Sequence, residues 1–239
     1  MLAHTLIESM TQTPCKTNKM NPLNASIKNQ MTTSIKPITH KSQLPVIVLG
    51  STSVFRKQLL EKLQLPFIVH APSVNEAPLN QEPPLDMINR LSLLKALNVA
   101  ETHANKIIIA SDQCATFNNQ AIGKPLTHEN ALKQLKAFSN QSIVFYTGLV
   151  VIDPIEQKTH QIIDTTTVHF RALSEQTIEN YLKTEKPYQC AGSFKSEGLG
   201  ITLFNRIEST DPNALIGLPL IALTSVFAQM GIVLPLCEG

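Results

Sequence analysis

The run Pro45-Val46-Ile47-Val48-Leu49 is aliphatic and largely β-branched, and it stops at Gly50-Ser51-Thr52-Ser53 before apolar residues reappear at Leu59, Leu60 and Leu63. Continuous apolar character suits a strand covered on both faces, and the later spacing suits a helix. Strand, polar turn and helix in that order constrain the chain to a layered α/β arrangement. The rest of the sequence agrees. Phe67 to Val69 reads as a strand after Pro66, and Pro84 to about His103 as a long helix with Met87, Leu91, Leu94 and Val99 on its apolar face. Ile107 to Ala110 reads as a buried strand leading into Ser111-Asp112-Gln113. Thr127 is placed to cap a helix carrying Ala131, Leu132, Leu135 and Phe138, and Ser174 to cap another ending near Lys183. Between them, Ile143–Ile152 and Gln161–Phe170 form an antiparallel pair joined across Asp153-Pro154. Ala191 to Gly200 reads as a loop, Ile201 to Phe204 as a strand, and Pro219 opens a last helix ending near Met230. Helices and strands alternate without strict βαβ order, so a mixed sheet is expected.

With 239 residues, 43% of them hydrophobic, the chain can bury one principal core, in two lobes, plus a dispensable segment. A formal net charge of +2 gives no general case for binding nucleic acid. No apolar run approaches the ~20 residues that span a bilayer, so no membrane association is expected. Cys15, Cys114, Cys190 and Cys237 are widely spaced and lack the pairing of a zinc site or disulfide framework, which points to a cytoplasmic location. Residues 1–43 hold five lysines against Glu8, are rich in Thr, Asn, Ser and Gln, and lack apolar periodicity. They are expected to form a flexible extension, leaving 44–236 as the folded domain.

Arg56-Lys57 falls in the first turn of the first helix, where the helix dipole disfavours cations unless an anion is present. Ser51, Thr52, Ser53 and the free N–H groups of the turn supply the materials of a phosphate cradle. Asp112 lies at the carboxyl end of an apolar strand, where open α/β sheets bind ligands. Lys124 occupies the constrained turn Gly123-Lys124-Pro125, and Glu76 a loop after a strand. Two carboxylates and several cations suit metal-assisted phosphoryl chemistry, provided their loops converge.

Several ordered motifs together resemble the Maf family of nucleotide pyrophosphatases: Leu49-Gly50-Ser51-Thr52-Ser53-Val54-Phe55-Arg56-Lys57, Val74-Asn75-Glu76, Ile109-Ala110-Ser111-Asp112-Gln113, Gly123-Lys124-Pro125, Phe145-Tyr146-Thr147-Gly148 and Gly217-Leu218-Pro219. The segment Ala191-Gly192-Ser193-Phe194-Lys195-Ser196-Glu197-Gly198 is similar to that of the YceF-type branch. The resemblance implies an elongated mixed sheet flanked by helices, similar to inosine triphosphate pyrophosphatases, with two lobes around a cleft. It implies hydrolysis of 7-methyl-GTP to 7-methyl-GMP and diphosphate, with Mg²⁺ or Mn²⁺ as cofactor. Alternatives are the same chemistry on dTTP, UTP or another modified nucleotide, or a non-catalytic nucleotide-binding regulator of septation.

Carried over by position, Asp112 matches the proton acceptor, with Glu76 and Lys124 as further catalytic candidates. Glu76 and Asp112 are the candidate metal ligands. Ser51, Ser53, Arg56 and Lys57 are candidate substrate-binding residues, and Phe55, Gln113 and Glu197 match the positions that set substrate preference. Val54 stands where the family usually has Pro, Phe55 where this branch often has Trp, and Asn75 where Asp is usual. A single carboxylate at Glu197 can accept both N1–H and the exocyclic amine of guanine. A cationic N7-methylated ring gains ~0.5 to 2 kcal/mol by stacking on an aromatic face such as Phe55. A homodimer is compatible with the sequence.

Overall fold

A computed structural model describes residues 37–237. Most of the extension expected over 1–43 lies outside the described residues. Its last part, Ile38–His40, is strand β1, followed by a 3-10 turn at Lys41–Gln43. The other strands are β2 (Ile47–Gly50), β3 (Phe67–His70), β4 (Ile107–Phe117), β5 (Gln120–Ile122), β6 (Ser142–Asp153), β7 (Lys158–Phe170), β8 (Phe204–Glu208) and β9 (Ile232–Cys237). The helices are α1 (Val54–Glu61), α2 (Pro84–Thr102), α3 (His128–Phe138), α4 (Glu175–Glu185) and α5 (Leu220–Gln229). The main sheet has the order β3-β2-β4-β6-β7-β8, with β5 paired to β4, while β1 and β9 form a separate two-stranded sheet.

The sheet is mixed, as expected. β2 runs parallel to both β3 and β4, whereas the β4–β6, β6–β7 and β7–β8 pairs are antiparallel. Sequence alternation explains the layering around β2. Ile47 and Leu49 point into a core with Leu60, Leu223 and Phe227, while Val48 points into another with Ala96, Val99 and Ile108. Burial on both faces is why the strand reads as an unbroken apolar run.

β4 and β6 are long enough to serve two clusters. Ile107, Ile109, Leu149 and Val151 belong to the first core, and Ala115, Ile143 and Phe145 to a second that includes Leu135, Phe138, Phe170, Phe194 and Phe204. The two lobes share these strands as a spine.

Local signals account for the element ends. Thr127 and Ser174 accept hydrogen bonds from the backbone N–H groups of Asn130 and Thr177, capping α3 and α4. The β6–β7 turn is held by Asp153, whose Oδ1 accepts from the N–H of Ile155 at 2.8 Å and of Glu156 at 3.3 Å.

Three sequence expectations are corrected. Asp112 lies inside β4, opposite Gly148 of β6, because antiparallel pairing carries that strand on after its parallel pairing with β2 ends at Gly50–Ala110. The strand expected over 201–204 is instead a 3-10 turn, Leu199–Leu203, in which the Ile201 N–H donates locally to the Gly198 carbonyl. Pairing with β7 begins only at Phe204, opposite Phe170. On α2, Leu94 is 38% exposed, and the buried face is formed by Met87, Ile88, Leu91, Ser92, Lys95, Ala96 and Val99.

Candidate functional site

A cavity of about 700 Å³ opens where β2 stops and β4 continues beyond it. Met87, Leu91 and Cys114 wall one side of it, and Phe145, Phe194 and Leu215 the other. Its floor is polar. The β2–α1 turn brings Ser51, Ser53, Phe55 and Arg56 to the cavity, and Ser53 caps α1 by accepting the Arg56 N–H at 3.4 Å. Ser51 Oγ accepts from the Ser53 N–H at 3.1 Å and from Arg56 Nη1 at 3.4 Å. The first N–H groups of α1 lack intrahelical acceptors and are available to an anion.

Arg56 is held from across the molecule. Its Nε donates to the Gly217 carbonyl at 2.9 Å, and Ser111 Oγ donates to the same carbonyl at 2.8 Å. Gly217 has φ +123°, a conformation that disfavours side chains and turns its carbonyl to both donors. The segment before it is fixed by buried Asp211, whose Oδ1 accepts from the Asn213 N–H at 2.8 Å and whose Oδ2 accepts from the N–H of Ile221 at the start of α5. Burial pushes the Arg56 pKa down, while Asp112 and Glu76 act in the opposite sense. An arginine that loses hydration yet keeps its charge is well suited to receive phosphate oxygens.

The two carboxylates converge on a cation. Lys95 Nζ lies 2.8 Å from Asp112 Oδ1 and 2.9 Å from Glu76 Oε1. The Lys95 side chain is 7% exposed, that of Asp112 14% and that of Glu76 61%, so the cluster grades from the core into the cavity. Gly148 makes this approach possible. A Cβ at that position would lie 2.7 Å from Ser92 Oγ and 3.0 Å from Ile88 Cγ2, so the bare glycine lets α2 lie against β6 and carry Lys95 to Asp112. Sequence reasoning missed Lys95, although a signal was present: it stands four residues after Leu91 and four before Val99, on the buried stripe of an amphipathic helix.

Other candidates divide. Lys124 is exposed, lines the cavity and makes no ion pair among the described residues. Glu197 also lines the cavity and is exposed, accepting from Ser196 Oγ at 3.4 Å. Gln113 reaches the cavity, but its Nε2 is engaged by Thr147 Oγ1 and by the carbonyls of Ala214 and Leu215, each at 3.0 Å. Its amide nitrogen therefore holds the 214–215 turn, leaving the amide oxygen. Lys57 does not line the cavity and instead lies 3.7 Å from Glu61, one turn along the exposed side of α1.

Glu76 and Asp112 are hard oxygen donors of the kind that hold Mg²⁺ or Mn²⁺. Among the described residues, no group of three or more acidic, histidine or cysteine side chains is arranged to hold a metal. A divalent ion at Glu76 and Asp112 would therefore draw further donors from phosphate and water, the usual pattern for Mg²⁺.

Acidic and basic side chains gathered where parallel strands end, in a cavity walled by apolar groups, define an α/β protein with a binding cleft for a charged ligand. A family model described as Maf-like protein matches residues 46–230. A protein of Hydrogenovibrio crunogenus named 7-methyl-GTP pyrophosphatase is 62% identical over 194 residues, covering 81% of this chain and 97% of that one. One of the same name from Colwellia psychrerythraea is 50% identical, covering 79% and 94% respectively. A HAM1 protein of known structure from Coxiella burnetii aligns with 78% of this chain and 100% of its own at 15% identity and a TM-score of 0.46. The chain belongs to the Maf-like protein family.

Proposed function

We propose that the protein hydrolyses 7-methyl-GTP to 7-methyl-GMP and diphosphate, clearing a modified nucleotide. The names of the two relatives support the substrate, and their identity extends over nearly their whole length. The observation that carries the reading is the meeting of Asp112 and Glu76 on Lys95, in the same cavity as the Ser51–Arg56 cradle. One side of the cavity offers acids to handle water and metal; the other offers donors for a polyphosphate.

Arg56, Ser51, Lys124 and the free N–H groups of α1 bind the triphosphate and offset charge as it moves onto the leaving diphosphate. Lys95 pairs with both carboxylates and fixes Asp112, which accepts a proton from the water that attacks the α-phosphorus. Bound at Glu76 and Asp112, Mg²⁺ or Mn²⁺ would add positive charge against the phosphate oxygens. From the lining of the same cavity, Glu197 accepts from the Watson–Crick edge of guanine, and Phe55, beside the cradle, offers a face to the cationic ring.

Diphosphate release across 7-methyl-GTP, GTP, dTTP and UTP tests the reading. The protein should prefer 7-methyl-GTP, and Asp112→Asn should lower its turnover by about 10² to 10⁴-fold with circular dichroism unchanged. Near-normal turnover by that variant would reject Asp112 as the base, and a preference for UTP would reject the substrate.

A further inference from the structure

Glu197 is carried on a loop whose anchor lies outside the cavity. Helix α4 ends at Glu185, whose Oε2 accepts the Leu199 N–H at 2.9 Å and whose Oε1 lies 3.2 Å from Lys195 Nζ. The Glu185 carbonyl accepts from the same ammonium at 3.0 Å. One turn earlier on α4, the hydroxyl of buried Tyr181 accepts the Lys195 N–H at 3.0 Å. Residues 195 and 199 are therefore both tied to α4, and Glu197 stands midway between them. Ser196 and Glu197 line the cavity, whereas Tyr181, Glu185 and Lys195 do not.

The approach of Glu185 to this loop is close. A Cβ on Gly198 would lie 2.8 Å from Glu185 Oε2, so the carboxylate rests against bare backbone at the residue next to Glu197. The Glu185 side chain is 17% exposed, and a carboxylate so far out of water requires partners of this kind. The Leu199 N–H holds its carboxyl below the usual carboxylate range, with Lys195 acting in the same sense. Glu197, by contrast, is exposed, and its carboxylate accepts from the neighbouring Ser196 Oγ at 3.4 Å. Among the described residues it has no further hydrogen bond or ion pair, so its place is set by the backbone that carries it.

Lys195 is also the cation closest to Glu197 in the chain, two residues before it, and Glu185 engages it. An ammonium left without that partner would compete with the base for the Glu197 carboxylate. We infer that Glu185 is a positioning residue for base recognition: it pins the 195–199 loop to the end of α4 and engages Lys195, leaving the Glu197 carboxylate aimed at the cavity and free for guanine. This rests on the reading of Glu197 as the base-recognising acid. Glu185 touches no substrate, so its effect on nucleotide preference passes through Glu197. That dependence separates it from a general role in folding.

The test measures kcat and KM for 7-methyl-GTP and UTP with the full chain and Mg²⁺, in Glu185→Ala, Glu197→Gln and the double variant. Glu185→Ala should narrow the kcat/KM ratio of 7-methyl-GTP to UTP by about tenfold, the value of one lost hydrogen bond. The change should lie in KM for 7-methyl-GTP, with kcat held within about threefold, because Arg56 and Asp112 are untouched. In the Glu197→Gln background the same substitution should leave the ratio within about twofold, since two residues acting through one contact are not additive. Glu185→Gln keeps an oxygen for the Leu199 N–H and should narrow the ratio by about threefold; it carries the test if circular dichroism shows Glu185→Ala unfolded. A ratio unchanged in every Glu185 variant that folds, a narrowing of equal size in the Glu197→Gln background, or a loss confined to kcat for both nucleotides would overturn the inference. A ratio unmoved by Glu197→Gln alone would overturn the reading of Glu197 on which it rests.

Discussion

Replacing Lys95 with methionine isolates the interaction on which the site depends. Methionine retains the unbranched stem and a good helix propensity, so α2 and its packing should survive. What disappears is the ammonium between Asp112 and Glu76. The contact to Asp112, 2.8 Å long and largely buried, is a charged hydrogen bond worth about 1.5 to 3 kcal/mol. The contact to Glu76, whose side chain is 61% exposed, is worth about 0 to 1 kcal/mol after screening by water. Their loss should destabilise the protein by about 2 to 4 kcal/mol at neutral pH, or roughly 5 to 15 °C in Tm for a domain of this size. Activity should fall by about 10²-fold or more if Asp112 is the proton acceptor proposed above, because it is no longer held in place. Urea unfolding followed by circular dichroism gives the first quantity, and diphosphate release the second. The double variant Lys95→Met/Asp112→Asn leaves no lone carboxylate at position 112 and should recover about 1 to 2 kcal/mol relative to the sum of the single changes. Additive single effects, or a Lys95→Met protein as stable and active as the original, would refute the reasoning.

Three further outcomes are expected. Glu197→Gln exchanges one acceptor oxygen for a donor, and discrimination between 7-methyl-GTP and UTP, measured as the kcat/KM ratio, should narrow by about tenfold or more. Burial pushes the Cys114 thiol up to about 11, so in the folded protein it should resist alkylation at pH 8, and peptide mass spectrometry should find it labelled only after denaturation. The Arg90 guanidinium, donating to both oxygens of Glu82 at 2.6 Å, holds that carboxyl down at about 2. A depressed folded-state pKa contributes stability above the ordinary carboxylate value of 4.5 that is lost as pH falls toward 2. The stability gap between the unaltered protein and Glu82→Gln should therefore close over that window in acid-unfolding curves.

The sequence by itself determined whatever depends on neighbours in the chain. The Val46–Leu49 run, the caps at Thr127 and Ser174 and the Asp153 turn are local, because periodicity, capping and turn chemistry act over a few residues. The motif-bearing turn from Ser51 to Arg56 was legible for the same reason, since its hydroxyls, helix start and misplaced cation lie within six residues. Tertiary structure alone decided what those groups meet. β1 and β9 are short strands from opposite ends of the described chain, and neither can be identified without the other, because their hydrogen bonds are mutual. Asp112 became an interior strand residue because β6 prolongs β4 after β2 has ended. Lys95 looked like one more polar helix residue until Gly148 let α2 descend onto the sheet. Its side chain then had the carboxylates of Asp112 and Glu76 in reach, as charge buried beneath a cavity requires.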